Sequence, residues 1–172
     1  MNYFYWDTSA LAKRYAPELG TSLVNHLFAH VASDRMMCLV IGTGEVISNL
    51  VRRKNDNRII PDDFSQALEN FRAEVIDAVA FQLVSVEDAL VLASHSLIEQ
   101  HSLNAMDALV LRSALDAAAI VLPAGNDIVL VASDRRLLRA AQAEGLQTFN
   151  PEVDTQADLD ALIQAEQSKE TT

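Results

Sequence analysis

The sequence lacks several features that mark particular classes of protein. It has one cysteine, Cys38, which excludes an internal disulfide and is expected to fill core space inside its apolar run. No apolar run approaches the roughly 20 residues of a membrane-spanning helix. The start of the chain has no basic region followed by an apolar stretch, so no secretory signal is expected. Together these absences predict a cytoplasmic protein with no membrane segment.

Basic residues are also scarce. The chain has 13 lysine and arginine residues against 24 aspartate and glutamate residues, which gives a net charge of −11 and argues against non-specific binding to nucleic acid. From Pro151 onward there are six acids and one base, so −5 of that charge falls in this segment. We therefore predict an acidic C-terminal tail over residues 152–172, either a short helix or mobile, behind a domain over residues 1–151.

What the chain does have is an alternating pattern. Half of its 172 residues are hydrophobic, which allows one domain with a substantial core. Apolar segments of strand length alternate with helical periodicity, and this predicts a parallel sheet covered by helices on both faces. The predicted strands cover residues 2–6, 36–41, 81–86, 128–132 and 147–149. The predicted helices cover residues 8–16, 20–32, 45–54, 89–100, 105–120 and 135–144, with another beginning at Pro61.

Four acids stand at or near the ends of these elements. Asp7 ends the first apolar run, and Asp134 closely follows the fourth. Glu45 falls in the first turn of a predicted helix, and Asp107 has apolar neighbours at helical spacing. Ligands of open parallel sheets bind outside the carboxyl ends of the strands, near a topological switch point. Because charged groups at the edge of a core need partners and no matching set of bases is present, the sequence indicates a bound cation.

Each acid also has a structural interpretation. Asp7 and Asp134 suit helix caps about as well as metal ligands, and Glu45 suits the positive end of a helix dipole. Asp107 fits a cap poorly, because Asn104 stands at the better cap position. Taken together, four carboxylates suit Mg²⁺ or Mn²⁺, hard cations that promote phosphodiester hydrolysis by neutralising charge and activating water.

Two serines adjoin these acids. Ser9 lies two residues after Asp7, and Ser133 lies one residue before Asp134. Either hydroxyl could fix a carboxylate or hold a water molecule or a phosphate oxygen. Both are therefore included in the predicted catalytic site.

The acids lie within short segments that together resemble the PIN domain, the nuclease fold of VapC-type toxins. Each segment is weakly specific, but their order and their placement on the predicted elements make the set specific. The resemblance covers residues 2–151. The segments are Trp6-Asp7-Thr8-Ser9-Ala10-Leu11, Glu45-Val46-Ile47-Ser48-Asn49-Leu50, Asn104-Ala105-Met106-Asp107-Ala108-Leu109 and Ser133-Asp134-Arg135-Arg136-Leu137-Leu138-Arg139-Ala140-Ala141, with Gly145-Leu146 and Asn150-Pro151 behind them.

This resemblance implies a three-layer α/β/α PIN-like fold with a five-stranded parallel sheet. It implies an endoribonuclease that depends on Mg²⁺ or Mn²⁺ and hydrolyses RNA. The four acids then have metal-binding or catalytic roles, and the two serines match positions where the family often has a hydroxyl. VapC-type proteins are commonly paired with an antitoxin that blocks the acidic pocket, and they commonly form homodimers. We therefore expect the toxin of a toxin–antitoxin pair.

Two other functions remain open from the sequence. A structure-specific DNA nuclease of the flap type would carry more acids and a helical arch, and no extra acidic cluster is evident. A PIN-fold interaction module without nuclease activity would have acids that do not converge, or would bind no Mn²⁺. The intact set of four acids speaks against this second alternative.

Several bases are candidates for substrate phosphate contacts. Lys13 and Arg14 follow Asp7 by about two turns, on the element that begins at the acidic site, and are predicted to bind phosphate. Arg135, Arg136 and Arg139 flank Asp134 and could do the same. Such contacts would be to the RNA backbone and would carry no base preference.

Two further patterns are weaker. His26 and His30 lie four residues apart on a predicted helix and could share a metal. No third ligand is near them in the sequence and there is no His-Glu-x-x-His pattern, so a plain polar helical face is favoured. Gly42-Thr43-Gly44 follows a strand, but Ile47 stands where a dinucleotide-binding loop would have its third glycine.

Overall fold

The central element of the molecule is a five-stranded parallel sheet. The computed structural model describes residues 1–164, and the remainder of the predicted tail, residues 165–172, lies outside the described residues. The strands stand in the order β3-β2-β1-β4-β5, and all neighbouring pairs are parallel. Their bounds are β1 Asn2–Trp6, β2 Met36–Leu39, β3 Gln82–Val84, β4 Asp127–Val131 and β5 Gln147–Phe149.

Helices cover both faces of this sheet, which confirms the predicted three-layer α/β/α fold. Side chains alternate along β1, so Phe4 and Trp6 enter one core while Tyr5 enters the other. The first core includes Leu27 and Leu50 from helices on one face. The helices are α1 Thr8–Leu11, α2 Thr21–His30, α3 Val40–Asn55, α4 Pro61–Phe71, α5 Asp88–His101, α6 Ala105–Val121, α7 Arg135–Ala143 and α8 Gln156–Gln164.

Two predicted boundaries are wrong in ways that affect the site. The predicted helix over 8–16 is α1 followed by a 3-10 turn, Ala12–Arg14. The predicted strand over 36–41 ends at Leu39, and Val40 and Ile41 begin α3. The reason is that β2 has no strand partner beyond its pairing with Val84 of β3, so the chain turns into a helix at once.

The sheet order creates a switch point beside β1. From β1 the chain passes to β2 and β3 on one side, and then to β4 and β5 on the other. The backbone N–H of Asp7 donates to the carbonyl of Val131, the last residue of β4, at 3.0 Å. The carboxyl ends of β1 and β4 therefore lie side by side, at the place where such sheets bind ligands.

The C-terminal helix α8 packs on the first core. Leu159 is fully buried there, and the side chain of Asn2 at the start of β1 donates to the carbonyl of Leu162 at 2.9 Å. Helix α8 also contacts α2. Within residues 1–164, none of the helices has the length and apolar character needed to cross a membrane.

Candidate active site

Asp7 lies at the floor of the switch point. The apolar side chains of β1 bury the strand end, and Asp7 is only 8% exposed. One of its oxygens, Oδ2, accepts hydrogen bonds from the backbone N–H of Ser9 at 2.9 Å and from the Ser9 hydroxyl. Burial raises the pKa of Asp7, the Ser9 hydrogen bonds lower it, and the nearby charge of Glu45 raises it further. The carboxylate is thus an N-cap of α1 as well as a site residue.

Ser9 connects the two strand ends. Its Oγ donates to Asp7 and accepts the backbone N–H of Ser133 at 2.8 Å. This arrangement fits the predicted role of Ser9 in fixing a carboxylate. The hydroxyl of Ser133 is buried and has no hydrogen-bond partner among the described residues. A buried hydroxyl without a partner is a candidate position for a bound water molecule.

Glu45 reaches the site from the second turn of α3. The prediction of a first-turn position is wrong because α3 begins at Val40 and includes the three residues that looked like a loop. Its Oε2 accepts a hydrogen bond from the Thr8 hydroxyl at 3.0 Å. The α3 backbone comes this close to Thr8 because residue 42 is glycine: an added Cβ would stand 3.3 Å from Thr8 Oγ1.

Thr8 is the site residue that sequence reasoning missed. The sequence predicts roles for its neighbours Asp7 and Ser9 and none for Thr8. The sequence feature that could have indicated Thr8 is a second hydroxyl, besides Ser9, in the first turn after β1. The two glycines at the start of α3, Gly42 and Gly44, are a further sign that another element approaches closely. The contact itself joins residues 37 positions apart, so only tertiary structure identifies Glu45 as its partner.

Asp107 lies in the first turn of α6. Asn104 caps this helix, as predicted: its side chain accepts the Asp107 N–H at 2.8 Å and donates to Asp107 Oδ2 at 2.8 Å. Desolvation raises the pKa of Asp107 to about 6, and the charges of Asp134 and Asp7 add to the rise. Asp107 therefore belongs to the same electrostatic cluster as Asp7 and Asp134.

Asp134 combines the two roles that the sequence left open. It is the N-cap of α7, and its Oδ1 accepts the backbone N–H groups of Arg136 at 2.8 Å and Leu137 at 2.9 Å. Its charge also raises the pKa of Asp107. The two cap hydrogen bonds fix the orientation of the Asp134 carboxylate. Its effect on the pKa of Asp107 shows that the two acids lie within electrostatic range of each other.

The four carboxylates are linked by electrostatic coupling but are not grouped as a metal centre. Among residues 1–164, no three histidine, cysteine, aspartate or glutamate side chains are grouped so as to hold a metal ion. Hydroxyl, amide and backbone donors hold the individual carboxylates instead. The donor set nevertheless fits a hard divalent cation, because it is all oxygen. Burial raises the pKa of Asp7 and Asp107, and the charges of neighbouring acids raise both further, which a bound cation would offset. Metal binding at these residues stays a prediction.

The structure gives Lys13 and Arg14 acidic partners within the protein, and their phosphate contacts stay a prediction. Lys13 is 2% exposed, and its ammonium group pairs with Glu18 and Glu152. The Arg14 guanidinium donates two hydrogen bonds to Glu74, at 3.1 and 2.8 Å. The 3-10 turn after α1 directs both side chains into these ion pairs, so their charges are already neutralised.

Arg136 is the base best placed for phosphate. It is exposed at the first turn of α7, and its charge lowers the pKa of Asp107, which puts it within electrostatic reach of the acids. Its guanidinium makes one long hydrogen bond, to the carbonyl of Ser102 at 3.4 Å. Arg136 can therefore turn towards a phosphate bound over the strand ends.

Comparison with known proteins shows the fold of this chain. No protein-family model matches the sequence, and no curated protein matches it. The chain is similar to the crystal structure of PAE2754 from Pyrobaculum aerophilum, with 18% identity, a TM-score of 0.58, and coverage of 94% of this chain and 98% of that one. It is also similar to FitAcB from Neisseria gonorrhoeae, with 14% identity, a TM-score of 0.58, and coverage of 86% and 97%. Both have the PIN fold of VapC-type proteins, so this chain has a PIN-like fold.

Proposed function

We propose that this protein is a divalent-metal-dependent endoribonuclease and the toxin of a toxin–antitoxin pair. The observation that supports the proposal is the electrostatic coupling of four acids, which come from four different segments, around the buried Asp7 at the switch point of a PIN-like sheet. Asp7 is coupled to Glu45, and Asp107 is coupled to Asp134 and Asp7. Such accumulated negative charge is costly without a cation, and active sites are where this cost is tolerated.

Mg²⁺ or Mn²⁺ would be held by Asp7, Glu45, Asp107 and Asp134. When bound, such an ion supplies neutralisation of the phosphate charge and a nucleophilic water near neutral pH. The oxygen-only donor set favours these ions over softer metals. Burial, and then the charges of Asp134 and Asp7, raise the pKa of Asp107, and a cation held there would favour its ionised form.

The neighbouring polar residues position the acids and the substrate. Ser9 holds Oδ2 of Asp7 by two hydrogen bonds and would thereby fix the orientation of this carboxylate. Thr8 orients Glu45 by its hydrogen bond. The Ser133 hydroxyl would hold the attacking water or a phosphate oxygen, and Arg136 would bind the RNA backbone on the open side.

The test is RNA cleavage in Mn²⁺ by the wild type and by Asp7→Asn and Asp107→Asn. Each variant keeps the shape of the side chain and removes one charge, so cleavage should fall at least roughly a hundredfold while the fold is retained. Asp116→Asn is the matched control, because Asp116 lies on α6 and pairs with Arg112. Undiminished cleavage by both site variants would refute the proposed mechanism.

A PIN-fold interaction module without activity is the second candidate. The observation that favours it is that no three acids within residues 1–164 are already grouped to hold a metal. Calorimetric titration with Mn²⁺ separates the two candidates: a nuclease binds Mn²⁺ and loses that binding in Asp107→Asn, whereas an interaction module gives no heat of binding. Single-stranded and flap DNA in the same cleavage assay test the third possibility, a DNA nuclease.

The toxin role and the partners have tests of their own. Induced expression of the wild type should arrest bacterial growth, and expression of Asp107→Asn should not. A cognate antitoxin would restore growth and would block the acidic pocket. Sedimentation of the purified protein tests the proposed homodimer.

A further inference from the structure

A second cluster of possible metal ligands lies where α8 packs on α2. The rings of His26 and His30 stack on one face of α2, with their centroids 3.9 Å apart and an angle of 23° between their planes. Asp160 of α8 stands opposite, and its Oδ1 is 3.1 Å from His26 Nε2. Helix α8 therefore brings a carboxylate beside two histidines that have no third possible ligand near them in the sequence.

The hydrogen bond of His30 sets the tautomer that a metal needs. His30 Nδ1 is 2.8 Å from the backbone carbonyl oxygen of His26. A carbonyl oxygen can only accept, so Nδ1 carries the hydrogen and Nε2 keeps its lone pair. Metal-binding histidines are typically held in this way, with one ring nitrogen donating to a carbonyl or carboxylate.

The spacing of His26 and Asp160 also suits a shared ion. Two ligand atoms that each lie about 2.1 Å from one ion are about 3.0 Å apart at a right angle and about 3.4 Å apart at the tetrahedral angle. The observed 3.1 Å between His26 Nε2 and Asp160 Oδ1 falls within this range. With an ion bound at Nε2, His26 would carry its ring hydrogen on Nδ1, and Asp160 Oδ1, which now accepts a hydrogen bond from Gln156 Nε2 at 2.9 Å, would bind the ion.

We propose that His26, His30 and Asp160 form a binding site for a borderline transition-metal cation such as Zn²⁺ or Cu²⁺. Two imidazoles and one carboxylate favour these ions over Mg²⁺, which prefers oxygen alone. The three side chains are not yet grouped around one point. The stacked rings hold their in-plane lone pairs nearly parallel, so one of the histidines must leave the stack for both to bind a single ion. The side chains of His26 and Asp160 are 28% and 42% exposed, which allows them to rotate, and water would complete the shell.

A metal at this position would join α8 to α2. Leu159, one residue before Asp160, is fully buried in the first core, so the ion would add a surface link above an existing apolar contact. The site would use none of the residues proposed for RNA cleavage. It is therefore independent of the proposed function.

Binding of one equivalent of Cu²⁺, followed by electron paramagnetic resonance, tests this site directly. The wild type should show superhyperfine splitting from imidazole nitrogen, which an all-oxygen site cannot produce. The double variant His26→Gln, His30→Gln should lose it, and Asp160→Asn should weaken Cu²⁺ binding at least about tenfold. Zn²⁺ should raise the melting temperature of the wild type more than that of the double variant.

His95→Gln is the matched control, because His95 is also exposed on a helix, α5. It should keep the nitrogen signal. An unchanged signal in the double variant, or an equal loss in His95→Gln, would overturn the proposal. The substituted residues lie on the surface, and circular dichroism of each variant checks that α2 and α8 are retained.

Discussion

Asp107→Asn should make the metal-free protein more stable at neutral pH while abolishing cleavage. Desolvation, together with the charges of Asp134 and Asp7, raises the pKa of Asp107 to about 6, from an ordinary value of 3.8. An ionised Asp107 therefore costs folding free energy. Asparagine removes that charge and can still accept the hydrogen bond from Asn104.

The magnitude follows from the pKa. A rise of about two pKa units corresponds to roughly 3 kcal/mol, and we reduce this to about 1–2 kcal/mol because Asp107 is only half-buried. The unfolded chain loses the Asp107 proton near pH 4, and the folded protein holds it until about pH 6. The wild type is therefore destabilised progressively as pH rises from about 4 to 6, and the cost is constant above that range.

Urea unfolding with EDTA present, at pH 7.5 and pH 4, is the appropriate assay. The single tryptophan, Trp6, is buried and reports on the transition by fluorescence. Asp107→Asn should be about 1–2 kcal/mol more stable than the wild type at pH 7.5 and nearly equal to it at pH 4. Asp116→Asn, which loses an exposed pair with Arg112, should be slightly less stable at pH 7.5. Destabilisation by Asp107→Asn at pH 7.5, or an equal gain at pH 4, would refute the electrostatic reasoning.

Three further predictions concern single residues. Asp134→Asn should keep the N-cap of α7, whereas Asp134→Ala should lower the free energy of unfolding by about 1 kcal/mol. Both variants should cleave RNA poorly. Loss of cleavage in the alanine variant alone would show that Asp134 acts only as a helix cap. Lys13→Met should lower the free energy of unfolding by about 1–3 kcal/mol, because the partly exposed Glu18 and Glu152 lose their buried partner. A variant as stable as the wild type would contradict this prediction. Gly20→Ala should lower the free energy of unfolding, measured in urea, by about 2–4 kcal/mol. Residue 20 has φ +90°, and an added Cβ would stand 2.5 Å from the Pro151 carbonyl oxygen. A decrease of less than about 1 kcal/mol would show that the backbone shifts easily.

The parts of the fold that were predictable depend on local chemistry. The apolar runs around Phe4 and Val129 have strand length and lie between helical patterns, so a parallel sheet follows from them. The Asn104 cap involves residues three positions apart, which a sequence displays directly. The end of β2 was not predictable, because Val40 and Ile41 are apolar in either conformation and only the extent of β3 stops the strand.

The candidate site divides in the same way. Asp7 and Asp134 stand out in the sequence because each follows an apolar strand, whereas Glu45 and Asp107 stand out by their positions in predicted helices. The hydrogen bonds of the site are not predictable from the sequence, because their partners lie far apart in the chain. Thr8 and Glu45 are 37 positions apart, and Ser9 and Ser133 are 124 apart. The pairing of Lys13 was not predictable for the same reason, because one of its glutamate partners, Glu152, lies 139 residues away in the predicted tail.

The sequence by itself determined the alternation of strands and helices, the order of the acidic segments and the caps that involve close neighbours. These features depend on hydrophobic periodicity and on contacts within one or two turns. Only the tertiary structure decided which charges meet, from the coupling of Asp107 with Asp134 and Asp7 to the burial of Lys13 and the approach of Asp160 to His26. The physical reason is that charge pairing depends on distances of a few ångströms, and packing of the whole sheet and its helices sets those distances.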